Sequence, residues 1–201
     1  MQNKEPRIAE STRLQAGRIE PATFLKMLGE AKRAGQALLA ARSPQFEGKW
    51  ERLRTTMDSG ATVTVIPPTA GKWYSLEESP ASRAGVEYEV ANGDKIPNLG
   101  QKLLPVVTDE GSLRGVLAQV ADVSGALTSA RAMNASGHVV VIDGEDSFVL
   151  NKMTGEVNAI EDDGTSYNFD MWICPPEDLE GLPADGFTWP QPRPQGSVKV
   201  V

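Results

Sequence analysis

Apolar and polar residues alternate along much of the chain between residues 48 and 174, and this alternation predicts a mainly β domain. In one clear example, Val86, Tyr88 and Val90 alternate with Glu87 and Glu89. A period of two places successive side chains on opposite faces of a strand. Similar runs, separated by turns that contain glycine, predict further strands at 103–107, 113–123, 138–143, 147–150, 156–160 and 167–173.

Two segments break this alternation and predict helices. Apolar residues recur at helical spacing between Pro21 and Arg42, and proline suits a first helical turn. The apolar face of this amphipathic helix would pack either on its own domain or on a partner. A second helix is predicted from Ala126 to Ser136, because this stretch is rich in alanine and Gly137 favours a helix end.

The composition changes at both ends of the chain. Residues 1–20 are polar and aperiodic, which predicts a flexible tail, and residues 21–47 hold the amphipathic helix and a linker. Residues 175–201 are rich in proline and glycine and are expected to form a tail. The expected organisation is therefore one β domain, residues 48–174, with appendages.

Length and composition are typical of a soluble protein. The 201 residues are 40% hydrophobic and 23% charged. No apolar run is long enough to cross a bilayer, and the N-terminus lacks the apolar core of a signal peptide. We therefore expect no membrane association and a cytoplasmic location.

Charge and rare residues narrow the chemistry. A net charge of −7 disfavours direct nucleic-acid binding, which depends on clustered lysines and arginines. The lone Cys174 cannot form an internal disulfide, and the lone His138 cannot build a typical zinc site. A Ser-His-Asp or Cys-His site would likewise rest on a single unsupported residue. Carboxylates and hydroxyls remain as the groups most suited to catalysis.

One carboxylate lies in a motif that suits catalysis. Asp58 is followed by Ser59, Gly60 and Ala61, between two stretches with strand character. A short turn of small residues can project a carboxylate into a cleft, and glycine lets backbone and solvent approach closely. Two such carboxylates, close together, share one proton, so that one activates water while the other protonates a peptide carbonyl. Taken alone, the same four residues also fit an ordinary Asx or glycine turn.

A longer series of stretches in a fixed order resembles a known family. The resemblance runs from Asp58 to about Trp172, a little over half the chain. Its stretches are MDSGATVTVIPP (57–68), YEVANGDKIPNLG (88–100), QVADV (119–123), GHVVV (137–141) and NKMTGE (151–156). They are similar to retropepsin-like aspartic proteases of retroelement polyproteins, including the copia-like kind, and especially to the retroelement-derived proteins of dinoflagellates.

The resemblance implies a fold, an activity and a site. It implies a closed retropepsin-like barrel with one short late helix, here followed by extra β-hairpins. It implies an aspartic endopeptidase that acts as a homodimer on extended peptides or a polyprotein, with no metal and no organic cofactor. Asp58 would be catalytic, and Ser59, Gly60 and Ala61 would form its loop. The segment 86–104 would hold a flap over the cleft, with Tyr88, Val90, Asn92 and Gly93 as candidate substrate contacts.

Some features depart from the family pattern and leave alternatives open. Retropepsins carry a hydrophobic-hydrophobic-Gly motif before the late helix, whereas the matching stretch here, 122–127, is looser. The chain also continues beyond that helix, which affects the usual dimer interface. A catalytically inactive interaction module with the same fold is therefore the alternative function. The alternative for the flap segment is an ordinary surface hairpin, and the alternative for Tyr88 is a core position.

Other acidic and reactive residues have simpler interpretations. Asp122 could supply a second carboxylate within the chain, but it lacks the following small residues and is expected in a turn. The acidic run 161–163 could hold calcium, yet without regular ligand spacing it predicts a solvated turn. Asn134 fits a glycosylation pattern by chance, and Cys174 is expected to be a spare thiol at a strand end.

Overall fold

The computed structural model describes residues 49–90, 93–109, 111 and 113–181, and within them the fold is mainly β. The strands are β1 (Glu51–Asp58), β2 (Val65–Ile66), β3 (Glu87–Glu89), β4 (Lys95–Pro97), β5 (Gly100–Thr108), β6 (Leu113–Val120), β7 (Ala126–Ser129), β8 (His138–Val141), β9 (Phe148–Asn151), β10 (Val157–Ala159), β11 (Glu161–Asp162) and β12 (Tyr167–Ile173). The helices are short: α1 (Pro80–Arg83), α2 (Ala130–Ala135) and a 3-10 helix at Pro176–Gly181.

Six strands close into a barrel. Their order is β1-β7-β2-β6-β5-β12, and β12 pairs back with β1 to complete the ring. In that closing pair, which is antiparallel, Glu51 is opposite Ile173 and Thr56 is opposite Asn168. Barrel closure leaves few exposed strand edges, so the backbone groups of the wall bond to one another.

The barrel interior is filled by alternate residues of its strands. Leu53, Ile66, Leu104, Val120 and Ile173 are all buried in one cluster. Each side chain of this kind contributes about 1.5–3 kcal/mol when it is fully buried. The period of two in the sequence therefore becomes the inward and outward alternation of the barrel wall.

A buried lysine fastens a loop to the barrel interior. Lys102 is 6% exposed. Its ammonium donates hydrogen bonds to the carbonyls of Pro68 at 3.0 Å and Ala70 at 2.7 Å. In the same loop Gly71 has a φ of +64°, and a Cβ there would lie 2.5 Å from a methyl carbon of Leu104. Only glycine fits this approach to the core.

Two smaller sheets lie outside the barrel. β3 and β4 form an antiparallel hairpin, and β8, β9 and β10 form a three-stranded antiparallel sheet. On the outer surface of the barrel, Trp50 and Trp172 pack with Cys174 and with Leu179 of the 3-10 helix. The indole of Trp50 donates to Asp178 at 2.7 Å, so ordered contacts continue beyond the domain boundary expected at residue 174.

Comparison with the sequence-based predictions confirms the mainly β class and the closed barrel. The predicted late helix is present but begins later: residues 126–129 form β7, and α2 covers only Ala130–Ala135. Pairing of β7 with β1 and β2 overrides the helical preference of alanine. The predicted amphipathic helix within 21–47 and the tail 1–20 lie outside the described residues. Among the described residues, no helix has the length and apolar character needed to cross a bilayer.

Candidate functional site

Asp58 ends strand β1 and begins a tight turn. Its Oδ1 accepts hydrogen bonds from the N–H of Gly60 at 2.7 Å and the N–H of Ala61 at 3.0 Å. The side chain is partly exposed, and no donor among the described residues contacts Oδ2. One carboxylate oxygen is therefore fixed by the backbone, while the other is available to solvent.

Gly60 lies close against the Asp58 carboxylate in this turn. A Cβ at Gly60 would lie 3.3 Å from Asp58 Oδ1, tighter than an ordinary van der Waals contact. Ser59 is exposed and Ala61 is partly exposed, so the turn lies at the surface of the chain. The small residues after the aspartate thus let the backbone fold closely around the carboxylate.

Strand β7 supports the turn from the side. β1 and β7 run parallel, with Thr55 opposite Ala126 and Asp58 opposite Ser129. Below the turn, the hydroxyls of Thr55 and Thr128 lie 2.9 Å apart, and both residues are buried. This hydroxyl pair ties the two strands together beneath the carboxylate.

Ser129 was not among the residues that the sequence analysis identified. It is fully buried, and its Oγ donates to the carbonyl of Ala61 at 2.6 Å. The same Oγ accepts the N–H of Ala132 at 3.0 Å, which caps helix α2. One side chain therefore joins the Asp58 turn to the helix. A serine just before a short helical stretch is a capping signal that could have identified it.

The hairpin β3–β4 contains the residues predicted for a flap. Tyr88 lies opposite Ile96 and is partly buried, and Val90 is partly buried while Gly93 is exposed. Gly93 has a φ of +86°, in agreement with its predicted place in a turn. Asn92 lies outside the described residues. The last part of the predicted flap segment, from Gly100, belongs to barrel strand β5 instead.

A hydrogen-bond path connects the hairpin to the Asp58 turn. The amide of Asn98 donates to the Tyr88 hydroxyl and to Gln119 Oε1, both at 2.8 Å. The N–H of Gln119 donates to the Thr64 carbonyl at 2.9 Å. The Thr64 hydroxyl in turn accepts the N–H of Ser129 at 3.3 Å. Tyr88 is thereby linked, through buried and partly buried groups, to the residue opposite Asp58.

Burial also affects the phenol of this path. Burial raises the pKa of Tyr88 to about 12, although the hydrogen bond from Asn98 opposes the shift. The tyrosine therefore stays neutral over the physiological range and can both donate and accept a hydrogen bond. Its role at the hairpin base combines packing with polar contacts.

The remaining acidic candidates stand apart from this arrangement. Asp122 is exposed in the connection between β6 and β7, as expected of a turn residue. Asp163 accepts hydrogen bonds from the hydroxyl of Thr165 and from the N–H groups of Thr165 and Ser166, and these bonds hold the pKa of its carboxyl below the usual range. No group of three or more metal-ligating side chains occurs within the part of the chain that the structure describes.

Comparisons with models of protein families, with curated proteins and with solved structures give no match for this chain.

Proposed function

We propose that this protein is a retropepsin-like aspartic endopeptidase that works as a homodimer, with one Asp58 from each chain in a shared active site. The observation that carries the proposal is the geometry of the Asp58 carboxylate. Its Oδ1 is held by the N–H groups of Gly60 and Ala61, and no described donor occupies its Oδ2. A carboxylate with a fixed orientation and one exposed oxygen is suited to hold and activate a water molecule.

The chemistry requires two carboxylates. At a dimer axis the two Asp58 side chains would share a proton, because two like charges at hydrogen-bonding distance cannot both ionise without a large cost. The ionised carboxylate removes a proton from the water, and the new C–O bond forms at the peptide carbonyl. The protonated carboxylate donates its proton to the carbonyl oxygen. When the tetrahedral intermediate breaks down, the C–N bond breaks and the carboxyl that took the proton from water donates it to the leaving amine. The other carboxylate removes a proton from a hydroxyl group of the intermediate as the C=O bond re-forms.

The hairpin β3–β4 is the proposed flap. Asn98 donates hydrogen bonds to Tyr88 and to Gln119 on the barrel wall, and these bonds hold the base of the hairpin. The strands can therefore cover an extended peptide while the base stays fixed. Extended peptides bind well beside strand edges, because backbone groups on both sides can form hydrogen bonds. The proposed substrates are therefore extended segments of a polypeptide, such as the linkers of a polyprotein.

The dimer would use a surface other than terminal strands. In simple family members the chain termini build the dimer sheet, but here β12 pairs within the chain with both β1 and β5. The loop that carries Asp58 lies at the surface, and a twofold axis beside it would bring two identical loops together. We place the proposed interface there.

One observation favours the alternative of an interaction module without catalysis. The stretch that matches the hydrophobic-hydrophobic-Gly motif of the resembling family, 122–127, is looser than that motif, and it leads into strand β7 beside the Asp58 turn. At the end of β7 the buried Ser129 bonds to the carbonyl of Ala61 in the Asp58 turn. A module of this kind would keep the barrel and the dimer but would not cleave peptides.

A mixing experiment distinguishes the two. Wild-type chain is mixed in increasing proportion with Asp58→Asn chain at constant total concentration, and cleavage of a denatured protein pool is followed by mass spectrometry of new termini. If both carboxylates of a dimer are needed, the rate falls as the square of the wild-type fraction. A linear fall would show that one chain suffices. Absence of cleavage by the wild-type dimer at any acidic or neutral pH would support the interaction module and overturn the protease.

A further inference from the structure

A cavity of about 420 Å³ lies between the barrel and the three-stranded sheet β8–β10. It arises because β2 pairs with β6 only at Gln119 and Val120, so that residues 113–118 of β6 pair with β5 alone among the described strands. The barrel wall is therefore open at this place, and helix α2 and the small sheet cover the opening. Asp58, Ser59 and Gly60 do not line the cavity, whereas Thr64, Gln119 and Thr128, which support the Asp58 turn and the hairpin, form part of its wall.

Most of the cavity wall is apolar. Val116 of β6, Met133 of α2, Val149 of β9 and Phe169 and Met171 of β12 contribute to it. Cavities between about 300 and 1,000 Å³ with apolar walls and a few polar groups are typical of small-molecule sites. The size and the walls of this cavity fit a ring compound.

The charged groups in the wall neutralise one another. The guanidinium of Arg114 is paired with the carboxylate of Glu156. His138, which also lines the cavity, is half-buried, and burial together with the nearby Arg114 lowers its pKa below the usual value. The imidazole is therefore neutral at neutral pH. A ligand meets no net charge in this cavity, so a charge on the ligand would not strengthen its binding.

Two asparagines supply unused hydrogen-bonding groups. Asn158 lies opposite Val149 in the pairing of β10 with β9, and Asn151 lies two residues further along β9, so both point to the same face. Asn151 Oδ1 accepts the N–H groups of Met153 and Thr154. Among the described residues, no partner contacts the Nδ2 of Asn151 or the side-chain amide of Asn158. Both residues line the cavity.

We propose that this cavity is a binding site for a neutral aromatic or heteroaromatic molecule that carries an amide-like edge. Carboxamide side chains recognise such edges because each offers a donor and an acceptor side by side. The apolar ring would contact the methionine and phenylalanine walls, and the amide edge would bond to Asn151 and Asn158. Occupancy of the cavity does not require Asp58, because Asp58 does not line it.

Benzamide is the probe, and binding to the full chain is followed by NMR of methionine methyl groups and side-chain amides. Benzamide should shift the signals of Met133, Met171 and the Asn158 amide in a saturable manner. Met153 is 93% exposed and supplies an internal reference that should not move. Benzoate and benzylamine carry the same ring with a negative or a positive charge and should bind at least about tenfold more weakly.

Three variants, one of them a control, test the location. Asn158→Ala should weaken benzamide binding about fivefold, which is within the range for one neutral hydrogen bond. Asn134→Ala removes the same group from an exposed position of α2 outside the cavity. It loses only a long, exposed hydrogen bond, 3.3 Å to the carbonyl of His138, and should leave binding unchanged. Val149→Trp should fill the cavity and abolish benzamide binding. The backbone amide spectrum of this variant shows whether it is folded. If it is not folded, the result for Asn158→Ala decides the test. The proposal is overturned if benzamide leaves Met133 and Met171 unshifted, if a charged analogue binds as tightly, or if Asn158→Ala binds as well as wild type.

Discussion

Asp58 and Ser129 are opposite each other in the parallel pairing of β1 with β7. The carboxylate of Asp58 holds one end of the turn through the N–H of Gly60, and the hydroxyl of Ser129 holds the other end through the carbonyl of Ala61. The turn is thus fixed by a side chain from each of two neighbouring strands. A rigid scaffold of this kind is what a reacting carboxylate needs for a constant orientation.

Replacement of Asp58 by asparagine should separate activity from stability. The amide oxygen of the new side chain would still accept the N–H groups of Gly60 and Ala61, so the free energy of unfolding should change by less than about 0.5 kcal/mol. Endopeptidase activity should fall at least about 100-fold, because the residue no longer acts as acid or base. Asp122→Asn, in an exposed turn, is the matched control and should stay fully active. Equal losses in both variants would show that the catalytic carboxylate has been misassigned.

Gly60→Ala tests the close approach around the carboxylate. The added Cβ would meet Asp58 Oδ1 at 3.3 Å and displace it by a few tenths of an ångström. We expect peptide cleavage to fall about tenfold or more, with less than about 1 kcal/mol lost in stability. Gly125→Ala is the control, because nothing lies within 4 Å of the Cβ there. Cleavage rates and urea unfolding of the two variants are compared, and equal activity would contradict the role of Gly60.

Ser129→Ala should affect both stability and activity. Loss of the Ser129 hydroxyl leaves the Ala61 carbonyl and the Ala132 N–H without this partner. The expected cost is about 1–3 kcal/mol in urea unfolding, with a reduced cleavage rate because the turn is held at one end only. Ser124→Ala, at an exposed position, should behave as wild type. A Ser129 variant of wild-type stability would show that this hydroxyl does not anchor the turn.

Lys102→Met tests the polar anchor inside the barrel. The substitution keeps a long, unbranched side chain but removes the donors to the carbonyls of Pro68 and Ala70. We expect a loss of about 2–3 kcal/mol in the free energy of unfolding, because buried acceptors lose their partner. Lys95→Met, on the exposed side of the hairpin, should change stability by less than about 0.5 kcal/mol. A stability gain in Lys102→Met would mean that the apolar packing outweighs these bonds.

The pKa of Tyr88 predicts a loss of stability at alkaline pH. Burial raises that pKa to about 12 in the folded chain, whereas an unfolded tyrosine titrates near 10. Below about pH 10 the Tyr88 phenol is protonated in both the folded and the unfolded state, and the stabilisation is complete. Between about pH 10 and 12 only the unfolded state releases this proton, so the free energy of unfolding falls as pH rises. Tyr88→Phe should weaken this dependence in urea unfolding at about pH 9 and 11. Tyr74→Phe should do the same, because burial also raises the pKa of Tyr74 to about 12. An unchanged pH dependence in both variants would contradict the prediction.

Much of the β structure could be predicted from local pattern. β12 follows the predicted run 167–173 residue for residue, because Tyr167, Phe169, Met171 and Ile173 alternate with Asn168, Asp170 and Trp172 along it. β7 was missed, since Ala126 and Leu127 favour a helix and only pairing with distant strands makes them extended. Helix α1 was missed as well, although Ser79 before Pro80 caps it in a recognisable way.

The candidate site likewise has one part that the sequence predicts and another part that it does not. The Asp58 turn has a local signal, because its small residues follow the carboxylate directly. Ser129 is distant in sequence, and its place beside Asp58 depends on the parallel pairing of β1 with β7. The cavity could not be predicted at all, because it results from the short pairing of β2 with β6. Properties that depend on long-range register leave no pattern in a window of neighbouring residues.

The pairing of β1 with β12 also has a consequence for synthesis on the ribosome. Glu51 finds its strand partner at Ile173, so the ring cannot close until almost all of the described chain has been translated. Until then β1 and β5 present unpaired edges, which other extended segments can bind. Folding through such distant contacts is slow and occurs late, and a nascent chain that stalls before β12 is open to aggregation or chaperone capture.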